Sequence, residues 1–136
     1  MNTRIVSLTA AVFALGLVIP ALAADMRDRV KVEIEGGGLH PGMEPGLYVC
    51  AAGHLHIRGT VHNTSLVTLG RIKVAGKAFG AEGRLLGEAT ASTKQVSLAP
   101  GDKAQIDLEF LTVSGPLVQQ VKKHEIKVIE APTKQP

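Results

Sequence analysis

His54-Leu55-His56-Ile57-Arg58-Gly59-Thr60-Val61-His62-Asn63 decides the fold class. Leu55, Ile57, Gly59 and Val61 recur at every second position, with His54, His56, Arg58, Thr60 and His62 between them. A period of two puts the first set on one face of a strand and the second on the other. Asn63-Thr64-Ser65 then supplies a turn. The same alternation recurs at Ala104, Ile106, Leu108 and Phe110 against Lys103, Gln105, Asp107 and Glu109.

Working outward, Val30, Val32 and Ile34 alternate with Arg29, Lys31, Glu33 and Glu35. Leu47 to Val49 forms a short run, Ile72 and Val74 start a strand toward Phe79, and Ile126 and Val128 face inward in a last strand over 125–130. Turn chemistry separates the runs: Gly80-Ala81-Glu82-Gly83 before Leu85-Leu86-Gly87, and Ala99-Pro100-Gly101-Asp102 after Ser97-Leu98. Residues 36–47, with Gly at 36, 37, 38, 42 and 46 and Pro at 41 and 45, read as a long irregular connection. Residues 116–123 leave room for a single helical turn. About seven short strands spaced in this way predict an all-β, antiparallel, immunoglobulin-like or fibronectin-like sandwich, with a small closed β-barrel as the alternative.

The ends of the chain read differently. Arg4 precedes an apolar stretch from Ile5 to Ile19, ended by Pro20 and followed by Ala21-Leu22-Ala23. That is the pattern of a cleavable signal peptide over 1–24, with one sandwich domain over 25–131 and a polar, frayed tail over 132–136. The expected location is periplasmic or secreted, with no membrane span once the leader is removed. The 136 residues leave room for a single domain. Losing Arg4 lowers the net charge of +3 to +2, and the charges are interleaved rather than clustered, which argues against nucleic acid. Outside the leader the only aromatic rings are Tyr48, Phe79 and Phe110, so the core must be aliphatic.

From Leu55 onward the pattern resembles small extracytoplasmic immunoglobulin-like or fibronectin-like domains of the FxLYD type. The likeness rests on Ile57-x-Gly59-x-Val61-x-Asn63, Ile72-x-Val74, Phe79 before Gly83-Arg84-Leu85-Leu86-Gly87, Leu98-x-Pro100-Gly101, and the alternation from Ala104 to Phe110. Where such a domain carries Leu-Tyr-Asp, this chain has Phe79-Gly80-Ala81-Glu82. The resemblance implies a sandwich that serves as a binding or accessory module of the cell envelope, with another envelope protein as its partner and no active site.

No Gly-x-Ser-x-Gly, His-Glu-x-x-His or phosphate loop is present, and the acidic residues are expected to scatter over strand surfaces. The chain is therefore not expected to be an enzyme. Metal binding is the sharper alternative. Cys50-x-x-x-His54-x-His56 places a thiol and two same-face imidazoles within seven positions, with Met43 and His40 in the preceding connection as further donors. Sulfur plus imidazole suits copper or zinc. Against this, alternation alone makes His54 and His56 ordinary surface residues, and a lone cysteine such as Cys50 is most often buried in the core.

Overall fold

The computed structural model describes residues 25–35 and 46–134. The expected signal peptide over 1–24, and His40 and Met43, lie outside the described residues. Among the described residues, seven strands form two antiparallel sheets: β1 (Val30–Ile34), β2 (Leu47–Val49), β3 (His54–Asn63), β4 (Lys73–Phe79), β5 (Leu85–Ser92), β6 (Lys103–Ser114) and β7 (Lys123–Glu130). One sheet joins β1, β2, β3 and β6, and the other runs β5-β4-β7. The architecture is the two-sheet sandwich; the closed barrel is excluded, because two separate sheets face each other across the core. No helix among the described residues is long and apolar enough to cross a membrane.

β3 organises the first sheet. β6 pairs along one of its edges from Leu55↔Phe110 to His62↔Lys103. The other edge is shared: β1 covers Gly59 to Asn63, and β2 covers Leu55 to Ile57. Between them, Glu35 N–H donates to the Arg58 carbonyl (3.1 Å), and Arg58 N–H donates to the Gly46 carbonyl (2.8 Å). β1 and β2 are thus two halves of one edge strand, which the chain leaves after Glu35 and rejoins at Gly46. Gly46 has φ +84°, and a Cβ there would lie 2.3 Å from Ile34 Cγ2, so only glycine fits the rejoining point.

The alternation read from β3 holds throughout: Leu55, Ile57, Val61 and Asn63 are buried, while the even-numbered residues face outward. Leu55, Ile57, Leu69, Ile72, Val74, Leu108 and Phe110 form the centre of the core. The sheets approach closely at Gly76 of β4, where an added Cβ would sit 2.8 Å from Leu108 Cδ1 and 3.2 Å from Phe110 Cζ. Leu98 makes a single bridge to Leu69 rather than a strand of its own. Residues 115–120 form a 3₁₀ turn, in the region where one helical turn was expected. The frayed tail needs correction for residues 132–134: Pro132 bridges Asp25, Thr133 bridges Leu69, and Lys134 N–H donates to the Thr68 carbonyl. Backbone pairing pins the segment despite its polar composition.

Candidate functional site

The outward face of β3 carries the chemistry. Register sets Tyr48 of β2 and Glu109 of β6 directly opposite His56, one on each side, and sets Asp107 opposite Arg58. Diagonal neighbours across an antiparallel pair lie within reach of long side chains. His56 uses one such diagonal, with Nδ1 2.8 Å from Asp107 Oδ1, and His54 another, with Nδ1 3.0 Å from Glu109 Oε2. The Tyr48 hydroxyl donates to Asp107 Oδ2 and lies 3.1 Å from His56 Nδ1. Its ring stacks on the His56 imidazole with centroids 4.6 Å apart, and the Arg58 guanidinium covers the same ring at 4.6 Å.

This packing defines what His56 can offer. With Nδ1–H donated to the Asp107 carboxylate, the lone pair is on Nε2. That atom is buried and has no hydrogen-bond partner among the described residues. Glu109 Oε2 stands 3.4 Å from it, an ion-pair distance without hydrogen-bond geometry. Burial pushes the His56 pKa down, but the hydrogen bond and charge of Asp107, together with the neighbouring Cys50 thiol, outweigh it and hold the group above its ordinary 6.5. Tyr48 is shifted up, by burial first and then by Asp107.

Cys50 closes the cluster from the β2–β3 hairpin. Its N–H donates to the His54 carbonyl (3.1 Å), and its carbonyl accepts from Gly53 N–H (2.9 Å), which folds the turn back over the start of β3. The thiol is half-exposed, not buried in the core as expected. The turn aims it along the outer face of the sheet, where the backbone N–H of His54, and after it that of Ala52 and the His56 side chain, lower its pKa against some desolvation. One sulfur, one nitrogen and one oxygen donor, from Cys50, His56 and Glu109, all lie within 4.8 Å of one another. Tetrahedral zinc, with bonds of 2.0–2.3 Å, needs donors roughly 3.2–3.7 Å apart, so about 1 Å of side-chain movement completes the set.

Of the residues singled out from the sequence, Cys50 and His56 come together. His54 lies beside them but contacts Glu109, holding that carboxylate rather than joining the three donors. His62 is on the same face, opposite Lys31 and Lys103, and away from the cluster. Sequence reasoning missed Glu109, Asp107, Tyr48 and Arg58. The acidic residues of β6 do not scatter, since Asp107 and Glu109 converge on the two histidines. The signal was the outward row Gln105, Asp107, Glu109, and what it lacked was the knowledge that β6 pairs with β3.

Fold and site together define an antiparallel β-sandwich with a thiol–imidazole–carboxylate cluster on the outer face of its four-stranded sheet. Comparison of the chain with protein-family models, curated proteins and solved structures finds no match.

Proposed function

We propose that this protein is an extracytoplasmic, non-catalytic binding module whose bound species is a single transition-metal ion held by Cys50, His56 and Glu109. The observation that carries this reading is the bare, buried Nε2 of His56, set among a thiol and a carboxylate within 4.8 Å. A carboxylate behind the imidazole is the usual outer support of a metal-bound histidine, and Asp107 occupies that place. The leader pattern of residues 1–24 and the likeness to envelope sandwich domains support the location. Of the two metals that sulfur and imidazole admit, Zn(II) suits the set better. It accepts sulfur, nitrogen and carboxylate oxygen together, whereas Cu(I) favours soft donors alone.

The core is built from residues of 25–134, so the test uses a chain beginning at Asp25. Zn(II), Cu(I) and Cu(II) are titrated into it and into the Cys50→Ser, His56→Ala and Glu109→Gln variants, with circular dichroism to confirm folding. The expected result is one Zn(II) per chain, bound more tightly than by any variant, with His56→Ala losing it. Binding that the three variants share with the parent chain refutes the site.

A further inference from the structure

The opposite end of β3 presents a second surface. Leu66 is 94% exposed, Val96 56% and Val67 41%, in two loop segments that meet at this end of the sandwich. Leu69 pairs with Leu98, and Lys134 Nζ donates to the Val96 carbonyl, which brings the three chain segments 64–71, 93–101 and 132–134 together. These segments contain Arg71, Lys94 and Lys134 and not one Asp or Glu. The next carboxylate along the chain, Asp102, is turned back to accept from Ala99 N–H.

The exposed side chains are held on a stiff base. Asn63 is fully buried and donates to the carbonyls of Val67 and Leu98 (2.9 Å each), while its Oδ1 accepts from Ser65 N–H (2.9 Å) and from the Ser65 hydroxyl (2.6 Å). Ser65 also donates to the Val67 carbonyl (3.0 Å). The turn that projects Leu66 is therefore fixed from beneath, and an exposed apolar group of Leu66, Val67 and Val96 rimmed by polar residues marks an interaction surface.

We infer that this end of the sandwich docks on an anionic lipid bilayer, inserting Leu66, Val67 and Val96 shallowly while Arg71, Lys94 and Lys134 meet lipid phosphates. Charge complementarity selects the occupant. An apolar tip whose three segments carry three cations, with the flanking carboxylates engaged by Arg27 (on Asp25, 3.1 Å) and by Ala99 N–H (on Asp102), fits an interface that is apolar below and negative at its surface. The inference does not rest on the metal reading: His56 and Asn63 are seven residues apart on one strand, about 23 Å. A docked domain would hold its thiol–imidazole cluster away from the lipid.

The test is co-sedimentation of the chain beginning at Asp25 with phosphatidylglycerol vesicles and with phosphatidylcholine vesicles, in low salt with EDTA, so that metal plays no part. The parent chain is expected to pellet with the anionic vesicles only, and to be released by salt. Each cation near an anionic surface is worth roughly fivefold in partitioning, so Arg71→Gln with Lys94→Gln should lower binding ~25-fold. Leu66→Ser with Val96→Ser, at exposed positions that leave the core intact, should abolish it. Absence of binding, equal binding to both lipids, or variants that bind as the parent does would overturn the inference. So would a dimer of the parent chain that Leu66→Ser dissolves, because the patch would then serve a second copy.

Discussion

Asp107→Asn separates the electrostatic support of His56 from its geometry. The carboxylate accepts His56 Nδ1–H at 2.8 Å on one oxygen and the Tyr48 hydroxyl on the other. An amide has the same shape. Its oxygen still accepts from Nδ1–H, and the Tyr48 hydroxyl can turn to accept from the new NH₂ group, so ring position and tautomer survive. What is lost is the negative charge that makes Nε2 more basic. Removing such an outer partner typically costs 10–100-fold in metal affinity. The Asp107 side chain is 38% exposed, so solvent screens it, and the expected loss falls in the lower half, about 10–30-fold. Folding stability should change by less than about 1 kcal/mol for the same reason. Competition for Zn(II) against a chromophoric chelator measures the affinity, and urea denaturation of the metal-free protein measures the stability. Glu109→Gln, which removes a donor outright, should cost more than Asp107→Asn. Asp107→Asn affinity equal to that of the parent chain would refute the claim that His56 binds through Nε2 with Asp107 behind it.

The buried Asn63 network should be a sensitive polar position: Asn63→Ala removes one donor from each of the Val67 and Leu98 carbonyls and the acceptor of Ser65 N–H, at about 3 kcal/mol in urea denaturation. Gly76→Ala drives a methyl group against Leu108 and Phe110, both fully buried, and should cost about 1–3 kcal/mol in the same assay. The folded metal-free protein holds the His56 proton more tightly than the unfolded chain does. That contribution to stability is complete below the unfolded value of 6.5 and is lost as pH rises through the higher folded value. A pH series of urea midpoints should show this decline in the parent chain and lose it in His56→Ala. Zinc affinity should run the other way, rising with pH as the competing proton leaves.

The sandwich was legible because strand alternation is a local property. Leu55, Ile57 and Val61 turned inward, and His54, His56 and Arg58 outward, as a period of two dictates. Half of the site was legible for the same reason, since Cys50 and His56 lie on a hairpin and its adjoining strand. The other half depends on long-range pairing. Glu109 stands opposite His56 only because β6 pairs with β3 in one register, and a one-residue slip would turn its side chain into the core. Cys50 was misplaced because the preference of cysteine for burial is an average over many folds. Here Gly53, at φ +87°, and the backbone hydrogen bonds of Cys50 with His54 and Gly53 turn the thiol along the surface. Pro132 to Lys134 looked like a tail because their composition is polar, and composition does not report backbone bridges.

The origin of the donors also bears on what an ion would do to the fold. Cys50 and His56 belong to one hairpin, but Glu109 arrives from a strand more than fifty residues further along the chain. An ion bound by all three clamps β6 to β3 at the end where their pairing is irregular, beside the register break between His54 and Leu55. Strand pairing there is weaker than in the regular stretch from Leu55 to His62, because the break takes residues 111–113 out of the ladder. Metal binding should therefore slow amide hydrogen exchange most at His54, Leu55 and Phe110. It should have little effect at Val61 and Ala104, where the ladder is already regular. Uniform protection across both ends of β3 would mean that the ion stabilises the whole domain by mass action and does not act through this clamp.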